Sequence, residues 1–136
     1  MTQKILFMKR TISDNEYYQI KIDQKKLRIY LTLKGFWRTA QQVPQYLKDV
    51  QKASNMLGSD FTCLANFSML MPFVEEVKPL FTESIKILLS EGMKKSAQLL
   101  PLNFETSEML ADYFQASDFR LTAFGDEEIA EMYLDE

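Results

Sequence analysis

Among the side chains that most often carry covalent or acid–base chemistry, this 136-residue chain contains no histidine and one cysteine. Without histidine there is no Ser-His or Cys-His nucleophile, no imidazole metal site and no imidazole pH switch. Cys63 alternates with Phe61 and Ala65, which places it on the apolar side of a strand as a small buried hydrophobe rather than a reactive thiol. A single cysteine forms neither an internal disulfide nor a multi-thiolate metal site. Glu75 and Glu76 offer two carboxylates, but neighbours on a helix point in different directions and no base or nucleophile accompanies them. Lys25, Lys26 and Arg28 could meet a phosphate, yet charges on a hairpin mostly keep a sheet edge soluble. Gly35, Gly58, Gly92 and Gly125 are too far apart to form a phosphate-cradling loop. The residue inventory therefore predicts no enzyme, no cofactor and no metal.

An apolar contact surface is the stronger candidate. Phe36-Trp37-Arg38, Met69-Leu70-Met71-Pro72-Phe73 and Leu102-Asn103-Phe104 each follow a predicted strand. In a parallel sheet such segments converge at the carboxyl end, where ligands and partners bind. Tryptophan and methionine suit an adaptable apolar contact. The candidate partner- or ligand-contacting residues are thus Phe36, Trp37, Ser68, Met69, Met71, Phe73, Leu102 and Phe104. The opposing expectation is that these side chains plug the helix ends above their own core.

The elements that would position them follow from periodicity. Tyr17–Asp23 and Leu27–Lys34 alternate polar and apolar residues, as half-buried strands do, and residues 23–26 link them as a hairpin. Thr39–Leu57 has helical spacing, with Val43, Tyr46, Leu47, Val50, Ala53 and Leu57 in one stripe. Pro44 restricts the start of that helix and Gly58 ends it. A strand is expected at Phe61–Asn66 and a helix over Pro72–Glu91, where Pro79 either kinks the helix or begins it. Lys95–Leu100 reads as a strand, Thr106–Ala116 as a helix and Phe119–Phe124 as a strand. Asp126 caps a last helix that would bury Ile129, Met132 and Tyr133. Ser13-Asp14-Asn15 reads as a turn, and Ile5–Met8 as an extra edge strand or an arm on a neighbour.

This order, β-β-α-β-α-β-α-β-α, predicts an α/β domain over residues 17–136 with a mixed, mainly parallel sheet of about five strands. Residues 1–16 form an arm or edge strand. Gln19, Lys21, Arg28, Thr32, Ser96, Gln98, Arg120 and Thr122 alternate with apolar neighbours. Helices should therefore cover mostly one face and leave much of the other wet.

Composition narrows the class. An apolar fraction of 46% supports a core, and 26% charged residues is ordinary for a folded domain. The net charge of −3 and a pI near 5.1 argue against a nucleic-acid binder. No signal peptide or membrane span is read, so the cytoplasm is the expected compartment. Charge is uneven: residues 1–52 hold 11 Lys/Arg against 4 Asp/Glu, and residues 53–136 hold 5 against 15. The two halves either neutralise each other within one fold or favour head-to-tail self-association.

Several segments together resemble the STAS-like domains, the group that includes the sporulation anti-sigma-factor antagonists, and within it a sub-group of stand-alone domains. Leu31-Thr32-Leu33-Lys34-Gly35 is similar to the family's second strand and glycine, and Leu64-Ala65-Asn66-Phe67-Ser68 to the end of its third. Glu91-Gly92-Met93-Lys94-Lys95-Ser96-Ala97 is similar to its helix stop and fourth strand, and Phe124-Gly125-Asp126-Glu127-Glu128-Ile129-Ala130 to its final strand and helix entry. The resemblance spans roughly residues 17–134 and rests on the order of the motifs. It implies a regulatory protein-binding role. One departure stands out: phosphorylated antagonists carry a serine at the start of the second helix, whereas this chain offers Pro72, Phe73 and Val74 there, with Ser68 several residues too early and Glu75-Glu76 close by. The phosphoswitch is not carried over. The reading is a non-enzymatic interaction domain, with an apolar small molecule or lipid as the alternative ligand and a homodimer as a reasonable state.

Overall fold

A computed structural model describes residues 9–136. Six strands lie across one sheet in chain order: β1 (Lys9–Asp14), β2 (Tyr18–Asp23), β3 (Arg28–Gly35), β4 (Phe61–Leu70), β5 (Met93–Leu99) and β6 (Ala123–Phe124). β1, β2 and β3 pair antiparallel, and β3 through β6 pair parallel. Four α-helices connect or follow them: α1 (Tyr46–Leu57), α2 (Lys78–Glu91), α3 (Phe104–Ala116) and α4 (Glu127–Asp135). The domain is α/β with a mixed, mostly parallel sheet, and each parallel strand reaches the next through a helix.

Ile5–Met8, read as an arm or extra strand, lies outside the described residues. The antiparallel edge strand is Lys9–Asp14, so residues 9–14 belong to the sheet. The turn after it falls two residues later than the sequence suggests, at residues 15–17, because the Asn15 side chain accepts hydrogen bonds from the amides of Tyr17 (2.8 Å) and Tyr18 (3.0 Å). Asp23 does the same for Lys25 and Lys26, both at 3.0 Å, and closes the β2–β3 hairpin.

Proline sets two helix starts. Residues 40–42 form only a 3-10 turn, and α1 proper begins at Tyr46, past Pro44. Pro79 sits in the first turn of α2, where its missing N–H has no intrahelical partner to lose; it begins the helix. Gly92 ends α2 at φ 112, a conformation that side chains disfavour, and an added Cβ would lie 2.8 Å from Ser59 Cα.

Three helices cover one face of the sheet. Tyr46, Val50 and Ala53 of α1, Phe81 and Leu88 of α2, and Leu110, Tyr113 and Phe114 of α3 pack on Ile20, Ile22, Ile29, Leu31, Cys63 and Ala65. The second face is wet over β1 and β2 but not beyond, because α4 lies on it. Ala130 and Leu134 pack there on Tyr30, Leu64, Ala97 and Leu99. This corrects two expectations. α4 buries Ala130 and Leu134 and leaves Ile129 and Met132 exposed. β5 turns its apolar Ala97 and Leu99 toward α4, while Ser96 and Gln98, in register with Cys63 and Ala65, face the three-helix side.

Two strand lengths also differ. β4 runs on to Leu70, so Ser68 and Met69 are strand residues. The last strand shrinks to Ala123–Phe124; just before it the Gln98 amide donates to the Thr122 carbonyl (2.9 Å) while the Gln98 side chain accepts from the Thr122 amide (2.6 Å).

Candidate functional site

The carboxyl ends of the parallel strands form one stitched edge. Met71 N donates to Gly35 O at 3.0 Å, and Leu102 N donates to Ser68 O at 3.1 Å. The three segments singled out in the sequence are therefore neighbours in the order Phe36, Met69–Met71, Leu102–Phe104. Asn103 fixes the last of them as the N-cap of α3, its Oδ1 accepting from Thr106 N and Thr106 Oγ1, both at 2.9 Å. The cap turns the flanking apolar residues outward: Leu102 is 81% exposed and Phe104, now the first residue of α3, 76%. Met69 beside them is 58% exposed, and Phe36 is exposed beneath the Arg38 guanidinium, 5.4 Å from its ring centre. Ser68 and Met71 are half-buried.

Trp37 and Phe73 do not belong to this surface. Trp37 is 1% exposed, with Nε1 donating to the carbonyls of Tyr17 and Lys34, each at 3.1 Å. Its ring meets Tyr46 edge-on at 5.0 Å and Phe81 at 5.6 Å, and Phe73 meets Phe81 at 5.1 Å. The indole caps the three-helix core because strand-end carbonyls satisfy its only polar group. Of the eight candidate residues, the structure brings Ser68, Met69, Leu102 and Phe104 together, sets Phe36 and Met71 alongside, and seals Trp37 and Phe73 inside.

The same end is acidic. The helix entries place Glu75, Glu76, Glu105, Asp126, Glu127 and Glu128 around it, all exposed. Glu75 pairs with Lys78, and Asp126 caps α4 by accepting from the amides of Glu128 (2.7 Å) and Ile129 (3.2 Å).

Below the rim, β3–β5, α2 and α3 enclose a cavity of about 40 Å³. Phe81, Leu110 and Phe114 form its apolar walls, and Cys63, Ser96 and Gln98 its floor. Burial pushes the Cys63 thiol up to about 12, which keeps it protonated and unreactive. The space suits a few water molecules; benzene needs roughly 150 Å³.

A buried charge cluster on the second face went unread in the sequence. Arg28, expected on a wet face, is 2% exposed under α4. Its Nε donates to Thr62 Oγ1 at 2.8 Å, Nη2 to Asp135 Oδ1 at 2.8 Å, and Nη1 to Glu131. Tyr30 Oη donates to the Glu131 carboxylate at 2.8 Å, and burial together with that carboxylate holds the phenol above its usual range. The available signal was Glu131 and Asp135 at i,i+4 on one helix, facing a basic N-terminal half. These contacts join the oppositely charged halves of the chain.

Among the described residues, no group of three or more His, Cys, Asp or Glu is placed to hold a metal ion. No helix among them is long and apolar enough to cross a membrane. Protein-family models, curated proteins and solved structures were compared with the chain, and none matches.

Proposed function

We propose that this chain is a non-enzymatic regulatory domain of the STAS-like type that binds a protein partner through the rim of Met69, Leu102 and Phe104, with Phe36 at its border. The observation that carries the reading is the pair Leu102 and Phe104, 81% and 76% exposed on either side of a structured helix cap. Large apolar groups held contiguously in water are the mark of a contact surface. The order of antiparallel front strands followed by βα units supports the STAS-like assignment, and Pro72-Phe73-Val74 in the loop ahead of α2 supports a version without phosphate control. A cytoplasmic setting, where thiols stay reduced, suits the lone Cys63.

Leu102→Ser and Phe104→Ser test this. Each should keep the wild-type melting temperature and lose captured partners in a pull-down read by mass spectrometry. Capture unchanged in both variants overturns the reading.

A lipophilic ligand is the second reading, and the cavity between sheet and helices favours it. At about 40 Å³ the space admits a lipid chain only if α2 and α3 part. Native mass spectrometry of protein purified without detergent should then show a bound mass, and a bare chain mass removes the idea.

A further inference from the structure

The second face of the sheet has two unlike halves. α4 lies over β4, β5 and β6. Among the described residues no helix lies over β1 and β2 on that side, and the side chains there form an open shelf. Tyr30 points to this face, since it packs with α4. Directly paired residues share a face, so Lys21 and Thr11, in register with Tyr30, point there too. Lys9 Nζ lies 4.1 Å from the Tyr30 ring centre. Gln19 and Thr32 continue the shelf toward the carboxyl end, where Lys34 lies 3.7 Å from Asp14. Lys9, Lys21 and Lys34 thus face one exposed carboxylate on these strands, Asp14, and the shelf is cationic.

The helix beside it has the opposite character. Residues 126–136 contain six carboxylates and no lysine or arginine. Glu131 and Asp135 are engaged by Arg28 and Lys26, whereas Glu127 and Glu128 have no ion-pair partner among the described residues. The outer ridge of α4 also exposes Ile129 (54%) and Met132 (66%), turned away from the Ala130 and Leu134 that seat the helix. One face therefore carries two complementary halves side by side.

We propose that this face is the interface of a two-fold dimer in which α4 of each copy lies on the β1–β3 shelf of the other. A two-fold axis parallel to the strands turns the face over and exchanges its left and right halves, so each acidic helix meets a cationic shelf. Strand direction is kept under that rotation. The N-terminus of α4, at the carboxyl end of the sheet, therefore brings Glu127 and Glu128 toward Lys34 of the second copy, and Met132 lies along the aliphatic stem of its Lys21. The Met69, Leu102 and Phe104 rim lies outside this contact, so the dimer is independent of the partner reading above.

Light scattering and sedimentation of the full chain across concentration and salt test the proposal. The expected result is a dimer whose dissociation constant rises about tenfold from low to high ionic strength, as screened charge contacts require. Lys21→Glu, on the shelf, and Met132→Lys, on the exposed ridge of α4, should each give a monomer with unchanged circular dichroism and melting temperature. Mixed, the two variants should form a 1:1 dimer. The altered helix then meets the altered shelf with opposite charge, and the second contact joins two unaltered surfaces. Phe104→Ser, at the rim, should stay dimeric. A wild-type monomer at the highest soluble concentration overturns the proposal, as does a dimer that survives both substitutions or a mixture that stays monomeric. A dimer abolished by Phe104→Ser also overturns it and moves self-association to the rim.

Discussion

Arg28 Nη2 and Asp135 Oδ1 are 107 residues apart in the chain and 2.8 Å apart in space. The contact straps the last helix to the first parallel strand. α4 is nine residues long and fully buries only Ala130 and Leu134, with Tyr133 packed on Phe124 beside them. The guanidinium adds to that burial by engaging Glu131, Asp135 and Thr62 together.

Removing that guanidinium leaves Glu131 and Tyr30 under α4 without their cation. Arg28→Leu should lower stability by about 2–4 kcal/mol in urea denaturation, somewhat less than the ~3–5 kcal/mol of a fully buried pair because Glu131 and Asp135 keep part of their surface in water. Amide exchange should speed up first in α4. Unchanged exchange there would mean the helix is held by apolar contact.

Acid should act on the same strap. The hydrogen bond from Arg28 holds the Asp135 carboxyl below its ordinary 3.8. A carboxyl lowered in the folded state stabilises the fold above its unfolded pKa, and that contribution disappears as pH falls through the folded value. Wild-type urea midpoints should therefore drop below about pH 4 more than those of Asp135→Asn. Asp135 is half exposed, so the difference should be about 0.5 kcal/mol or less.

Trp37 gives an optical test of the core. Its emission should be blue-shifted and resist acrylamide quenching until the protein unfolds. Trp37→Ala should lose about 3–5 kcal/mol, the cost of emptying a large aromatic site. Trp37→Phe keeps a ring against Tyr46 and Phe81 and loses the shared N–H bonds, for about 1–2 kcal/mol.

Cys63 should ignore thiol reagents in the native state. With its pKa near 12 instead of 9.0, its thiolate fraction at mildly alkaline pH falls about a thousandfold, and burial blocks access besides. One thiol per chain should react once denaturant is added. Rapid labelling of the native protein would show that α2 and α3 open readily over the cavity.

Local pattern was enough where one residue decides the geometry. Alternation located β2 and β3, and Asp126 marked the start of α4. The carboxyl-end rim was legible because parallel strands must end together. Which rim residues stay outside was not, since Trp37 and Phe104 are alike in type and both follow a strand. Trp37 turns inward because two strand-end carbonyls wait for its N–H, and Phe104 turns outward because the Asn103 cap orients it.

Sequence by itself determined most of the strand and helix order, the absence of histidine and the apolar character of the rim segments. Only tertiary structure decided the side of the sheet on which α4 lies, and with it the burial of Arg28 and the inversion of β5. The reason is physical. A strand that is apolar on alternate residues states that it has two unlike faces, but not which layer each will meet. That is settled when Tyr30, Leu64, Ala97 and Leu99, from three separate strands, assemble into a surface that a short helix can cover.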